Sequence, residues 1–221
     1  MKKILVPRGP SQYTSTVGGS APDENPEGEK DMKIVCLLGS PRSNGNGSVL
    51  AGRFCETAEK LGARVETYTL NKLHFRGCQA CMACKTSLDK CILQDDLAPV
   101  LETIRDADVL VLTTPVYFAD LSAQLKAFID RMYSYLVPNF YNHPRPSRLA
   151  PGKKLVFIQT QGQPSEKLFA DIFPRNEAFF KWHGFRENYL IRGCGVRSPE
   201  DILGKEEVLK EAEEVARKVM G

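Results

Sequence analysis

Between residues 33 and 192, short apolar runs alternate with amphipathic stretches, and that alternation leaves few folds open. Lys33-Ile34-Val35-Cys36-Leu37-Leu38-Gly39 is almost continuously apolar, as a strand buried on both faces must be. Further strands are expected over residues 64–70, 107–114, 154–160 and 188–192, with Val109-Leu110-Val111-Leu112 the most apolar stretch. Helical periodicity falls between them, over residues 48–61, 96–105, 121–135, 165–182 and 199–220, and Pro174 is expected to break or kink the fourth of these. Such a β-α alternation implies an α/β fold: a doubly wound, five-stranded parallel sheet with helices on both faces. Ligands of these sheets sit at the carboxyl ends of the strands. The loops over residues 39–48, 114–120 and 160–165 are therefore the expected functional positions.

Composition narrows the class. The chain has 221 residues, 42% hydrophobic and 26% charged, enough for one sizeable core. No apolar run approaches the length of a membrane span, and a net charge of +3 is too mild for a nucleic-acid binder. Residues 1–31 hold four prolines and the acidic run Asp23-Glu24-Asn25-Pro26-Glu27, and read as an N-terminal arm or linker to a domain over residues 32–221. Within the arm, Leu5-Val6-Pro7-Arg8-Gly9 looks like a thrombin-type cleavage sequence. Seven cysteines without a secretory signal point to metal or redox chemistry in a reducing, cytoplasmic setting.

The first functional loop is Gly39-Ser40-Pro41-Arg42-Ser43-Asn44-Gly45-Asn46-Gly47-Ser48, leading into a helix. A helix N-terminus offers unpaired N–H groups to an anion, and small residues let the backbone approach it closely. Ser40, Arg42, Asn46, Gly47 and Ser48 are the candidate phosphate donors. Neither a Walker lysine nor a Gly-x-Gly-x-x-Gly fingerprint is present, which points to a monophosphate. Pro115, Val116, Tyr117 and Phe118 follow the third strand and offer an aromatic platform; Thr160, Gln161 and Gly162 follow the fourth.

The phosphate-type loop, together with Thr114-Pro115-Val116-Tyr117-Phe118 and the helix Ala123-Gln124-Leu125-Lys126-Ala127-Phe128-Ile129-Asp130-Arg131, resembles flavodoxin-like, NADPH-dependent FMN reductases. The resemblance covers roughly residues 33–192 and implies a flavodoxin-like sheet of order 2-1-3-4-5 with FMN as cofactor. Relatives often carry a Thr-Gly-Gly type sequence in the third loop, whereas this chain has Gln159-Thr160-Gln161-Gly162-Gln163 with one glycine.

The loop over residues 74–95 carries Cys78-x2-Cys81-x2-Cys84-x6-Cys91. Thiolates at that spacing suit an iron–sulfur cluster; zinc and a redox-active thiol pair are the alternatives. Set on an FMN fold, the motif resembles the iron–sulfur flavoprotein family. That resemblance implies Cys78, Cys81, Cys84 and Cys91 as ligands of a [4Fe–4S] cluster beside FMN, in a homodimer or homotetramer. The expected activity is electron transfer between a donor, ferredoxin or NAD(P)H, and a small-molecule acceptor. A cluster-free NAD(P)H-dependent FMN/quinone reductase is the second expectation, and a zinc-stabilised flavodoxin-like binding protein the third. Cys36, Cys55 and Cys194 read as structural. His74, His143 and His183 are scattered and read as surface or packing residues, and no side chain is expected to act as an acid–base catalyst.

Overall fold

A computed structural model describes residues 32–221, and the expected N-terminal arm lies outside the described residues. Strands β1 (Lys33–Leu38), β2 (Arg64–Thr69), β3 (Val109–Pro115), β4 (Lys153–Gln161) and β5 (Phe185–Cys194) form one sheet in the order β2-β1-β3-β4-β5. Every pairing is parallel. The chain leaves β1 to one side for β2 and returns past it to β3. The crevice at the carboxyl ends of β1 and β3 is therefore the topological switch point, where such sheets bind ligands.

Alternation along the strands builds two cores. Val35, Leu37, Leu110, Leu112, Leu155 and Phe157 face one side and meet α3 (Leu97–Asp106), α4 (Ala123–Arg131) and α5 (Ile172–Trp182). Ile34, Cys36, Val109, Val111, Val156 and Ile158 face the other and meet α1 (Asn46–Lys60) and α6 (Glu206–Met220). Central strands buried on both faces lose polar positions, which explains the unbroken apolar runs. Burial of one such large side chain stabilises the fold by about 1.5–3 kcal/mol.

The structure corrects three boundaries. Residues 165–171 are not helical; α5 begins at Ile172, so Pro174 lies in its first turn, where its missing N–H breaks no intrahelical bond. The helix expected over 121–135 ends at Arg131 and tightens into a 3-10 turn, Met132–Tyr135. The edge strand β5 is twice the expected length. The added residues, 185–187 and 193–194, carry no continuous apolar pattern, so the sequence marks only the middle of this strand. The cysteine loop gains a one-turn helix, α2 (Ala83–Thr86). No helix among the described residues is long and apolar enough to cross a membrane.

Candidate functional site

Close packing shapes the first loop. The Gly39 N–H donates to the Thr113 carbonyl at 3.0 Å and lies 3.3 Å from the Thr113 hydroxyl. A Cβ on Gly39 would stand 2.4 Å from the Thr113 carbonyl oxygen, so only glycine fits. Ser40 is buried, and its hydroxyl accepts from the Arg42 N–H at 3.1 Å. The α1 N-terminus then presents the Ser48 hydroxyl, which is buried and has no partner among the described residues. An orphaned buried hydroxyl at a helix N-terminus is the donor that a phosphate oxygen would satisfy.

Asn46 has a different task from the one its position suggests. Its amide nitrogen donates to the Ser198 carbonyl at 2.9 Å, and its oxygen accepts from the Ile202 N–H at 3.0 Å. Arg42 donates through Nη1 to the Arg197 carbonyl at 2.8 Å. Both side chains therefore clamp the segment after β5, and since the Ser48 and Val49 N–H groups donate to the Gly45 carbonyl at 2.8 and 3.1 Å, the first-turn amides left for an anion are those of Asn46 and Gly47. The clamp is completed by Asp201, whose carboxylate accepts from the N–H groups of Arg197 and Ser198 at 2.8 and 2.7 Å. Those bonds hold the Asp201 carboxyl below its ordinary range. Arg197 reaches on to the Gly162 carbonyl at 3.2 Å, so one segment ties the first and third loops together. Neither Arg197 nor Asp201 was singled out in the sequence, where Ser198-Pro199-Glu200-Asp201 signals only a turn.

In the second loop, Val116 N–H donates to the Thr160 carbonyl at 2.7 Å, and Tyr117 and Asp120 exchange two backbone bonds. That pairing forces Phe118 and Ala119 into the left-handed region, at φ of 46° and 70°. Left-handed non-glycine residues of this kind cost on the order of 1–2 kcal/mol each. Phe118 stands fully exposed at the tip and Tyr117 is 41% exposed, so neither ring is a core residue. In the third loop, Thr160 and Gln161 are buried. The Gln161 side chain turns inward, donating to the Gln163 and Ser165 carbonyls and accepting from Arg192 at 2.9 Å. The Gln161 and Gly162 carbonyls accept from the Val196 N–H at 3.0 Å and from Arg197 at 3.2 Å, so backbone N–H groups are what this loop can offer a ligand.

The cysteine loop is anchored at both ends. The His74 N–H donates to Asp96 at 2.8 Å. Arg131, at the end of α4, forms a two-pronged pair with Asp95 at 2.7 and 3.2 Å. It also donates to the Arg76 and Leu93 carbonyls. Lys85 Nζ donates to the Tyr133 and Leu136 carbonyls at 2.6 and 2.7 Å and stands 3.6 Å from the Cys84 sulfur. Arg148 donates to the Cys84 carbonyl at 2.9 Å. Ala80 and Met82 take left-handed backbone conformations, curling the chain between these anchors.

Cys78, Cys81, Cys84 and Cys91 all line one concavity, with Arg131, Tyr133 and Ser134 completing its wall. Cys78 and Cys81 are exposed residues, and Cys84 and Cys91 are half-buried. Among the described residues, no group of three or more His, Cys, Asp or Glu is gathered around a single-ion site. The donor set nonetheless fits an anionic, sulfur-ligated centre, since four soft ligands share one wall with a buried cation. Burial opposes the Arg131 charge, but the Asp95 bond and the Cys91 thiol outweigh it and raise its pKa. Cys36 and Cys55 lie in the second core, where contact with Cys55 and then burial push the Cys36 thiol up. His183 is buried, its ring nitrogens facing the Phe179 and Met132 carbonyls at 2.8 and 3.1 Å. Trp182 packs on Phe140, Tyr141 and Phe179.

Residues 32–175 match the family model of the NADPH-dependent FMN reductases. The chain belongs to that family. It is 34% identical over 104 residues to an iron-sulfur flavoprotein of Archaeoglobus fulgidus, covering 47% of each chain. It is 35% identical over 109 residues to an iron-sulfur flavoprotein of Methanosarcina thermophila, covering 49% of this chain and 56% of that one. The chain thus spans about half the length of these curated relatives. Among solved structures, an NAD(P)H:quinone oxidoreductase from Methanothermobacter marburgensis superposes with a TM-score of 0.66 at 21% identity, covering 86% of this chain and 98% of that one. That likeness establishes the flavodoxin-like fold.

Proposed function

We propose that this chain is an electron-transfer flavoprotein holding FMN at the β1–β3 switch point and a [4Fe–4S] cluster in the cysteine cavity. The observation that carries the reading is the convergence of Cys78, Cys81, Cys84 and Cys91 on one wall beside the buried Arg131, on the fold of an FMN reductase. When bound, FMN supplies a centre for one or two electrons and the cluster a centre for one. The Ser48 hydroxyl, the Asn46 and Gly47 amides at the start of α1 and the free part of the Arg42 guanidinium hold the phosphate. Tyr117 and Phe118 offer their faces to the ring system, and the backbone N–H groups at Gln161 and Gly162 meet its polar edge. Lys85 and Arg131 set positive charge against the cysteine sulfurs.

The donor is NAD(P)H or a one-electron carrier such as ferredoxin, the acceptor is a small molecule, and the working form is a homodimer or homotetramer. Substitution Cys81→Ser tests the reading: it should abolish visible cluster absorbance and lower bound iron and sulfide while FMN stays bound. Unchanged iron and sulfide in that variant contradicts the ligand assignment. One observation favours a second reading, a cluster-free NAD(P)H-dependent quinone reductase: the family model that matches residues 32–175 is that of the NADPH-dependent FMN reductases. Rapid flavin bleaching by NADPH in anaerobically purified, iron-free protein selects it.

A further inference from the structure

Arg131 carries five N–H groups, and its other contacts use four of them. Nη1 donates to Asp95 Oδ2 and to the Arg76 carbonyl, both within 2.8 Å. Nη2 donates to Asp95 Oδ1 at 3.2 Å and to the Leu93 carbonyl at 3.4 Å. The fifth, Nε–H, is buried and has no partner among the described residues. The residue is 1% exposed, and it lines the cavity shared by the four cysteines. A buried donor without a partner costs about 1–3 kcal/mol. A purely structural arginine at this position, tying α4 to the cysteine loop, accounts for four N–H groups and leaves the fifth unexplained.

We infer that Arg131 is a positioning and potential-setting residue for the sulfur-ligated centre, donating its spare Nε–H to the Cys91 sulfur. The inference rests on the cluster reading above. A donor to a ligating sulfur stabilises the more negative, reduced form, so it raises the reduction potential. The two-pronged pair with Asp95 locks the guanidinium plane, which makes the direction of Nε–H a fixed property of the fold. The same helix begins at Ser122, beside the phosphate loop. At 1.5 Å per residue, the nine-residue helix α4 sets its two ends about 13 Å apart. Arg131 therefore fixes the cysteine cavity at a set distance from the flavin crevice of its own chain.

The test uses the full chain, prepared anaerobically with iron, sulfide and FMN. Protein labelled with 15N-arginine should show a 15N hyperfine coupling to the reduced cluster in pulsed EPR. Paired substitution Arg131→Met/Asp95→Asn removes every donor at position 131 without stranding a buried carboxylate. Its cluster should reduce with an equilibrium constant about tenfold less favourable, a fall of about 59 mV. Arg131→Lys, which keeps the charge but not the fork, should recover part of that loss. A loaded wild-type cluster with no arginine coupling, or a loaded double variant with the wild-type potential, overturns the inference alone. Wild-type protein that binds FMN but takes up no iron or sulfide overturns the cluster reading and this inference with it. If the double variant does not fold, the labelled wild-type protein decides.

Discussion

The Ser122 hydroxyl donates to the Gly39 carbonyl at 2.6 Å while accepting from the Leu125 N–H at 3.3 Å. One side chain thereby caps α4 and fixes the first residue of the loop proposed to bind phosphate, 83 positions away. Both groups are buried, so removing the hydroxyl leaves a carbonyl and an N–H without partners. Loss of a cap costs about 0.5–2 kcal/mol, and an orphaned buried acceptor about 1–3 kcal/mol more. Ser122→Ala should lower stability by roughly 2–3 kcal/mol in urea unfolding. It should also weaken FMN binding, measured by flavin fluorescence quenching. Wild-type values for both would show that the loop holds its shape without this bond.

The buried Ser48 hydroxyl has no protein partner. Ser48→Ala should therefore leave the apoprotein as stable as wild type. FMN affinity should fall by about tenfold, the equivalent of one hydrogen bond of ~1.4 kcal/mol to a charged group. Riboflavin, which lacks the phosphate, should bind both forms equally. An equal loss for riboflavin and FMN contradicts the phosphate assignment.

Asp95 links pH to stability. Burial favours its neutral form, but bonds from Arg131 and the Arg76 N–H, with the Arg131 charge, outweigh burial and lower its pKa. A carboxyl with a depressed native pKa contributes stability that is complete above its unfolded value, near 3.8, and is lost as pH falls through the native value. Unfolding curves of the wild type should thus decline more steeply below about pH 4 than those of Asp95→Asn. Parallel acid profiles would show that the pair adds no pH-dependent stability.

Pro174 occupies the third position of α5. An N–H there has no intrahelical acceptor, so Pro174→Ala should change stability by less than about 1 kcal/mol, and in the destabilising direction as the unfolded chain gains freedom. A gain near 3 kcal/mol, the penalty for an interior helix proline, would mean that the helix extends upstream as the periodicity of residues 165–171 suggests.

This last case shows where local pattern stops being informative. Strands β1 and β3 were legible because both faces are buried and their centres, residues 34–38 and 109–112, are unbroken apolar runs. The first loop and the cysteine motif stand out in the sequence because their residues are contiguous, and the phosphate and cluster roles proposed for them rest on that pattern. Residues 165–171 look helical in composition, yet Arg192 and Gln161 capture their carbonyls from neighbouring strands. Arg131 reads in the sequence as the basic end of a helix; its work comes from partners 36 and 55 residues away. Asn46 sits where a phosphate donor belongs, but its amide is held by a segment more than 150 residues downstream. Contacts of that range leave no local signature.

The central claim, that one chain unites FMN with a four-cysteine iron–sulfur centre, is tested most directly on anaerobically purified wild-type protein. Iron, acid-labile sulfide and FMN should be quantified on one sample, with an EPR spectrum after dithionite reduction. The account predicts four irons, four sulfides and one FMN per chain, with a signal from the reduced cluster. Stoichiometric FMN without iron or sulfide, or stoichiometric zinc in their place, would contradict it.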